Sequence, residues 1–429
     1  MNRRTFENRI IPYKILLRAL ETTEELVDRI LPENEIPSLS IGAKYISKVL
    51  RELIDKAGQG LPIIGHHFAF QREYIACFDC VPVCLEGVSY FLSALLPNGV
   101  EKYYDLMQNW GHPFHTYTSQ KGVMGMSLDG IIDFNAIITP PAPCDNTTSS
   151  YPFFKYYKNV PLVIPDLPFT INEESYNYYA QQLKKSIEEL GKIIGQEPDY
   201  EKLRKALEIE NQANSKALEL FELKKAIPCP VENIFNALSA AAALFLSGRK
   251  EKLEFYDKMI EISKRRYKYG IRHGYNEEKV RSIWPFMLIF FSLGLCEWLD
   301  RELGMTILFD IFNYVFPDNV DTDGDIDSLF YGMAKRGMNF PMMKQSIQSY
   351  IPFIEDLINL AKDFSADCMV LTAHIGCKQF GSIGQILREA LKEELGIPLL
   401  IIDLDVGDKR MTSIEYIKNK IKLFIQTLL

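Results

Sequence analysis

The chain has 429 residues, of which 47% are hydrophobic and 24% charged, and its formal net charge is −8. This length predicts two or three domains with an ample core, and an acidic chain without a long basic run is not expected to bind nucleic acid. The longest largely apolar stretch, 283–296, is shorter than the ~20 residues of a membrane helix, so no membrane partner is expected. No apolar signal segment follows the amino terminus, and eight cysteines in such a chain favour metal binding or catalysis in the cytoplasm over disulfides.

Residues 1–60 are predicted to form helices, because apolar side chains such as Leu16 and Leu20 recur there at helical spacing. A first α/β unit is predicted at 61–170. Its strands are expected at 61–65, 131–139 and 160–164, and its helices at 86–95 and 100–110. Short apolar runs that alternate with helical segments are typical of a parallel sheet.

Two histidines, His66 and His67, follow the first of these strands and are predicted to be structural. Three cysteines come next, at Cys77, Cys80 and Cys84, with the spacing Cys-x2-Cys-x3-Cys. This spacing would allow three thiolates on one metal, although it fits neither a standard zinc ribbon nor the order of cysteines in radical-SAM proteins. Metal binding by at least one of them and a purely structural role both stay open.

Residues 172–268 carry no strand signal, and a helical insert is predicted at 171–279. Its helices are expected at 173–194, 200–221, 231–247 and 252–267. A second α/β unit is predicted at 280–429. Its strands are expected at 305–309, 367–371 and 397–402 and its helices at 343–364 and 383–395, with capping boxes at Ser382-x-x-Gln385 and, for the last helix, Thr412-x-x-Glu415. The predicted fold class is therefore α/β, with two Rossmann-like parallel-sheet units, an N-terminal helical segment and a helical insert between the units.

Candidate functional residues follow the predicted strands. Cys144 and Cys377 each come directly after a strand, and the strand-to-helix edge of an open α/β sheet is where ligands bind. A thiol near a helix start, as at Cys377, tends to ionise, and a thiolate is what a metal needs. His374 is either a structural histidine, a hydrogen-bond donor near the metal or a proton donor. Glu86 is either an acid/base or a charge at a helix start.

Two familiar ligand motifs are not supported. No Gly-x-Gly-x-x-Gly follows a strand and no Gly-x4-Gly-Lys-Ser/Thr occurs, so the chain carries no nucleotide fingerprint of its own. Residues 319–324 match the first half of a calcium loop, but Phe330 stands where the bidentate Glu is required. A solvated acidic loop is the prediction there.

Together these segments resemble the benzoyl-CoA reductase/2-hydroxyacyl-CoA dehydratase family of iron–sulfur proteins, which includes the D-component of 2-hydroxyglutaryl-CoA dehydratase. The resemblance is carried by Ala366-Asp-Cys-Met-Val-Leu before Cys377, Phe380-Gly-Ser-Ile-Gly-Gln385 after it, the closing segment from Gly396 to Arg410, Pro143-Cys144-Asp145, and Cys77-Phe-Asp with Glu86. The order and spacing of these motifs over 61–429 carry it, rather than any single one.

This resemblance implies a [4Fe–4S] cluster held in part by Cys144 and Cys377. It implies an acyl-CoA substrate that receives one electron, either to form a ketyl radical from which water is eliminated or to reduce an aromatic acyl group. It also implies a second subunit, identical or paralogous, and a separate ATP-hydrolysing iron–sulfur activator dimer, since this chain has no phosphate-binding loop.

The sequence departs from the family at three positions. His115 stands where the family has a cluster cysteine, so the third ligand is His115, one of the cysteines at 77, 80 and 84, or absent. Asn98 stands where a dehydratase is expected to carry Glu, and Lys409 where the family usually has Pro. An enzyme subunit acting on an acyl-CoA is the leading hypothesis, and a double-cubane-type small-molecule reductase or a non-catalytic scaffold or electron-relay subunit are the alternatives.

Overall fold

The computed structural model describes residues 9–30, 38–96, 100–272, 277–286, 288–313 and 318–428; Asn98 lies outside these ranges. Eight strands form two parallel sheets of four strands each. The strands are β1 (Ile63–His66), β2 (Val81–Cys84), β3 (Ala136–Ile138), β4 (Leu162–Val163), β5 (Val280–Trp284), β6 (Met305–Asp310), β7 (Cys368–His374) and β8 (Leu399–Leu404).

The strand order is β2-β1-β3-β4 in the first sheet and β6-β5-β7-β8 in the second. In both sheets the first strand along the chain is internal, and the chain then adds strands on either side of it. The order therefore reverses between β1 and β3 and again between β5 and β7. Such a switch point opens a crevice at the carboxyl ends of the strands, where ligands bind in open α/β sheets. The predicted fold class, with two Rossmann-like parallel units, is confirmed.

Helices pack around the sheets and fill the segment between them. The helices up to β4 are α1 (Ile11–Ile30), α2 (Ser38–Gly58), α3 (Leu85–Leu95), α4 (Glu101–Asn109), α5 (Thr118–Leu128), α6 (Asp145–Ser150) and α7 (Pro152–Tyr157). Those between the sheets are α8 (Glu173–Ile194), α9 (Tyr200–Leu223), α10 (Ile234–Phe245) and α11 (Lys250–Lys268). Those after β5 are α12 (Gly294–Trp298), α13 (Ile326–Met338), α14 (Met343–Ser346), α15 (Ile351–Asp363), α16 (Lys378–Ser382), α17 (Gly384–Glu394) and α18 (Ile414–Gln426). The described residues of 171–279 contain no strand, while the exact domain boundaries stay predictions.

Local sequence explains several of these elements. Every residue of β7 is buried, which is why this strand is a continuous apolar run rather than an alternating one. Helix α8 starts where the Asn172 side chain accepts a hydrogen bond from Ser175 N, and it ends at Gly195 in the left-handed region, with φ of 72°. No helix in the described ranges is long and apolar enough to cross a membrane.

Two strands were not predicted. β2 contains Pro82, which lacks the N–H that a central strand needs; β2 tolerates it because it is an edge strand. β5 contains Arg281 and Ser282, whose polarity hides the strand in the sequence. The buried Arg281 guanidinium donates to backbone carbonyls, among them Phe364 O at 3.0 Å, which satisfies it inside the protein.

The predicted single helix at 343–364 is wrong. The structure has α14 and α15 instead, and Pro352 lies in the first turn of α15. Proline is accommodated in a first turn, where no N–H is needed, but inside a longer helix it would lose a hydrogen bond and clash with the preceding turn.

Both predicted capping boxes are also wrong. Ser382 donates to Gln379 O at 2.9 Å within α16, and α17 begins without a side-chain cap. The last helix is capped by Ser413, one residue after the predicted Thr412, and the Ser413 hydroxyl accepts from Tyr416 N at 3.2 Å. Neighbouring serine and threonine residues are equally able to cap a helix, so the path of the chain decides which one does.

Candidate active site

The carboxyl ends of the first sheet's strands are aligned. His66, the last residue of β1, pairs in register with Cys84 of β2 and with Ile138 of β3. Residues that follow these strands by a few positions therefore emerge at one edge of the sheet. Glu86 and Cys144 are two such residues, and the edge is the one predicted to bind ligand.

The loop that carries Cys144 meets the loop that carries Cys377. Asn146 Nδ2 donates to Gly376 O at 3.5 Å, and Lys378 Nζ forms an ion pair with Asp145 at 2.9 Å. Asp145 and Asn146 directly follow Cys144 in the sequence, and Gly376 and Lys378 flank Cys377. The structure thus brings the two cysteine loops of the two sheets together.

Both of these thiols are buried, and Tyr117 lies beside them. Burial, then the charge of Cys377, raises the pKa of the Cys144 thiol well above its ordinary value. Burial also raises the pKa of the Cys377 thiol, although a hydrogen bond with the Tyr117 hydroxyl opposes this rise. The expectation that the helix start would ionise Cys377 is therefore wrong, because desolvation outweighs it. A bound cationic centre would supply the positive charge that two adjacent thiolates need.

His115 belongs to a segment that packs against the second cysteine loop. Its carbonyl oxygen lies 3.4 Å from the position that a Cβ on Gly376 would take. The segment is held by the buried Lys121, whose Nζ donates to Phe114 O at 2.7 Å. The His115 ring itself is exposed.

The remaining candidate cysteines do not join this group. Cys77 and Cys80 precede β2 and donate to carbonyl oxygens of the preceding turn, Tyr74 O at 3.7 Å and Ile75 O at 3.9 Å. A strand of four residues spans roughly 13 Å, so both lie towards the amino edge of the sheet. Cys84 ends β2 at the carboxyl edge, but it is fully buried and faces Gly87 of α3.

These positions can be compared with what an iron–sulfur cluster requires. Within the described ranges, no group of three or more His, Cys, Asp and Glu side chains is arranged to hold a metal ion. Cys144 and Cys377 lie on loops that meet, and His115 lies on the segment that packs against the Cys377 loop. Among the described residues, the structure brings the two cysteine loops together but does not place a third metal-binding side chain with them.

Glu86 lies on the same edge and is surrounded by donors. Its carboxylate accepts from Phe68 N at 3.0 Å and from the Tyr151 hydroxyl, and it lies 3.5 Å from His67 Nε2. His67 Nδ1 accepts from Ala69 N at 3.1 Å, so the proton of the neutral ring is on Nε2, facing Glu86. Burial raises the pKa of Glu86 to about 7 and lowers the pKa of His67 to about 3. Glu86 is thus an acid that can exchange a proton near neutral pH.

Glu86 and Cys144 line one cavity, here called the Glu86 cavity, between the two sheets and the insert. Its apolar walls are Phe68, Gly87, Tyr90, Phe91, Ala240, Leu244, Phe290, Phe312 and Met342, and its other lining residues are Tyr117, Ser119 and Gln120. Sequence reasoning assigned no role to Tyr117, Gln120 or Tyr151, because each reaches the site only through folding.

His374 lies behind this cavity rather than in it. Its ring packs against Tyr117, with 4.7 Å between ring centroids, and its Nδ1 accepts from Val406 N at 3.4 Å and lies 3.8 Å from Asp405 Oδ2. Burial lowers the pKa of His374. The neutral ring therefore positions Tyr117, which in turn contacts Cys377.

Fold and site together define a protein with two parallel-sheet units whose cysteine loops meet beside a buried, proton-exchanging carboxyl group. The family described as 2-hydroxyglutaryl-CoA dehydratase, D-component, matches residues 69–428, and the chain belongs to this family. The resemblance inferred from the sequence is confirmed.

Individual relatives are distant. The chain is 20% identical over 279 residues to the alpha subunit of (R)-phenyllactyl-CoA dehydratase from Clostridium sporogenes, a match that covers 62% of this chain and 64% of that one. It is 21% identical over 398 residues to a benzoyl-CoA reductase subunit from Thauera aromatica, covering 83% and 86%. It is 22% identical over 329 residues to the alpha subunit of (R)-2-hydroxyglutaryl-CoA dehydratase from Acidaminococcus fermentans, covering 74% and 62%. The chain thus spans less than two thirds of the dehydratase subunits from Clostridium sporogenes and Acidaminococcus fermentans.

Proposed function

We propose that this chain is a subunit of an acyl-CoA dehydratase or acyl-CoA reductase and that the acyl thioester binds in the Glu86 cavity. The observation that carries the proposal is a buried carboxyl group with a pKa of about 7 that shares an apolar cavity with Cys144. The relatives are named as subunits of enzymes for CoA thioesters, which supports this substrate class.

In this proposal Cys144, Cys377 and His115 hold a [4Fe–4S] cluster. The meeting of the two cysteine loops supports the two thiolate positions, and the contact of the His115 segment with Gly376 supports the third. When bound, the cluster supplies the single low-potential electron that thioester chemistry of this kind needs.

The chain's own residues manage protons and water. Dehydration of a 2-hydroxyacyl group removes a proton from Cβ and hydroxide from Cα, and ring reduction adds protons; Glu86 suits either role because its pKa is near neutral. Tyr151 and the Phe68 N–H hold the carboxylate in place. Apolar walls such as Leu244 and Phe290 exclude water from the reacting group.

The proposal includes two protein partners. The relatives are named as subunits, which supports a second subunit, identical or paralogous. Exposed aromatic side chains near the His115 segment, namely Trp110, Phe114 and Tyr157, support an interface there. A separate ATP-hydrolysing iron–sulfur dimer is proposed as the electron donor, because this chain has no phosphate-binding loop.

A non-catalytic subunit is the second candidate, favoured by the missing group of three metal-binding side chains within the described ranges. A double-cubane-type reductase would need more converging cysteines than the pair Cys144 and Cys377.

Anaerobic purification with the co-expressed second subunit, followed by iron and sulfide analysis, tests the proposal. About four irons in this chain support the acyl-CoA enzyme, none supports the non-catalytic subunit, and about eight support the double-cubane type. Turnover of an acyl-CoA is then measured with and without activator and ATP. Sustained turnover without them would refute the dependence on an activator.

A further inference from the structure

Arg72 is a buried cation for which the described part of the chain supplies no hydrogen-bond or ion-pair partner. It lies in the short 3₁₀ turn Arg72–Ile75 after β1 and is only 7% exposed. Its guanidinium has no hydrogen bond or ion pair among the residues that the structure describes. Burial, then the charge of Arg249, lowers its pKa to about 10, so it still carries its charge at neutral pH. A buried charge that no protein group compensates is costly, and a bound anion would relieve that cost.

Arg72 faces an open basin, here called the basic basin. The basin's cationic side chains are Lys56, Arg72, Lys202, Lys205 and Arg249, and its carboxylates are Glu73 and Asp79. Lys202 pairs with Asp79 at 3.1 Å, whereas Lys205 has no ion pair within the described ranges. The local charge is therefore positive on a chain whose net charge is −8.

Behind the basic basin lies an inner cavity, whose wall also includes Arg72 and Glu73. Neither amide atom of the buried Gln71 and neither carboxylate oxygen of the buried Glu73 has a hydrogen-bond partner in the described structure. Arg336 Nη1, also without a hydrogen bond, lies 3.9 Å from Glu73 Oε1. Buried polar groups are normally satisfied, so this wall lacks a ligand that carries donors and acceptors.

The inner cavity adjoins the Glu86 cavity. Phe68, Leu244 and Phe312 line both, and the Phe68 and Phe312 rings meet edge to face with 5.8 Å between their centroids. The three spaces therefore lie in series from the surface: cationic at the mouth, polar in the middle and apolar at Glu86. A CoA thioester has the same order of groups, with phosphates at one end, amides along the arm and the acyl group at the other end.

We propose that the basic basin is an anion-binding site that takes the phosphate groups of the CoA moiety, with Arg72 and Lys205 as its free cations. The pantetheine arm then lies along the inner cavity, where Gln71 pairs with its amide groups, and the acyl group reaches Glu86. This inference rests on the proposed function, because it takes a CoA thioester as the substrate.

The test measures CoA binding to the purified full chain by titration calorimetry and thermal unfolding. Arg72→Met is expected to weaken CoA binding about 10- to 100-fold, the range for a lost hydrogen-bonded charge. Its unfolding temperature without ligand should stay the same or rise, because an apolar chain replaces an unpaired buried charge. Lys205→Ala, an exposed position, should weaken binding about 2- to 5-fold and serves if Arg72→Met does not fold. Arg388→Met, on the exposed side of α17, is the matched control and should bind CoA like the wild type.

Each outcome bears on a different part of the inference. Pantetheine, which has no phosphate, should bind weakly and equally to wild type and Arg72→Met. Unchanged CoA affinity in both Arg72→Met and Lys205→Ala would overturn the basin site while leaving the proposed function intact. Pyrophosphate that binds as tightly as CoA in an Arg72-dependent way would overturn the assignment to CoA in favour of a free phosphate anion. Failure of the wild type to bind CoA or any acyl-CoA would overturn the proposed function itself.

Discussion

Gly376 packs directly on the backbone of Tyr117: a Cβ atom at position 376 would lie 3.1 Å from Tyr117 N and 3.3 Å from Tyr117 Cα. An approach this close is tighter than most contacts of a Cβ atom, so a side chain at position 376 would require the Tyr117 backbone to shift by a few tenths of an ångström. The contact joins the segment of His115 and Tyr117, in the first unit, to the residue that precedes Cys377, in the second. The shape of the candidate cluster site therefore depends on the absence of a side chain at Gly376.

Gly376→Ala should force these two segments apart and lower the free energy of unfolding by about 1–3 kcal/mol, the usual cost of overpacking. Urea unfolding followed by circular dichroism measures the change. Gly381→Ala is the matched control in the neighbouring helix α16, because a Cβ there meets no atom within 4 Å. Equal effects of the two substitutions would show that the contact at Gly376 is not restrictive.

Glu86 should make stability depend on pH. Its pKa is raised from 4.5 to about 7 in the folded protein, so folding favours the protonated form. The stabilisation that the protonated Glu86 side chain gives is fully present below about pH 4.5 and is lost as the pH rises through about 7. Glu86→Gln does not titrate, so the stability of the wild type relative to this variant should fall by roughly 3 kcal/mol across that window.

Denaturant unfolding at several pH values between 4 and 8 measures this difference. Tyr151→Phe is an internal check, because the Tyr151 hydroxyl donates to the carboxylate and lowers the pKa of Glu86. Without the Tyr151 hydroxyl, the fall in stability that accompanies ionisation of Glu86 should occur at higher pH. A difference between wild type and Glu86→Gln that stays constant over this range would contradict the raised pKa.

The cysteines should separate into two groups by their effect on bound iron. In the anaerobically purified protein, Cys144→Ser and Cys377→Ser should lose most of the iron, because a serine hydroxyl is a poor substitute for a thiolate ligand. Cys77→Ser and Cys80→Ser should keep it, since both lie towards the other edge of the sheet. Iron analysis and the visible absorption of the cluster are the readouts.

His115 allows a gain-of-ligand test of the same site. His115→Ala should reduce the iron content, and His115→Cys should restore it with an altered absorption or EPR spectrum. Iron loss in Cys80→Ser together with retention in Cys377→Ser would reject the proposed ligand set.

Helix α11 carries a buried and an exposed ion pair that should differ in strength. Lys252 contacts Glu210 where both side chains are buried, whereas Lys258 pairs with Glu261 at 2.7 Å on the surface. Lys252→Met removes the cation in contact with the buried Glu210 carboxylate and should cost about 3–5 kcal/mol. Lys258→Met should cost less than about 1 kcal/mol. Urea unfolding of the two variants compares them, and similar losses would mean that solvent reaches Glu210.

Local sequence was sufficient for most of the elements. Apolar runs predicted β6 and β7, because strands that are buried on both faces carry apolar side chains at nearly every position. The partly buried edge strand β8 was predicted from its apolar run as well. Long helices such as α8 were predicted with the observed boundaries, since Asn172 and Gly195 mark its two ends by chemistry that acts within one turn. The order and spacing of the cysteine motifs were enough to indicate the family.

Tertiary structure decided which residues share a site. Cys80 and Cys84 are four positions apart in the sequence, yet they lie at opposite ends of β2, an edge strand that Pro82 concealed. Glu86 and Arg72 are ordinary charged residues in the sequence. Burial gives Glu86 a pKa of about 7, and it leaves Arg72 without a hydrogen-bond partner among the described residues. Desolvation and contact depend on residues far apart in the chain, such as Tyr151 beside Glu86 and Gly376 beside Tyr117. Short-range sequence patterns carry no information about the desolvation of a side chain or about its contacts with distant residues.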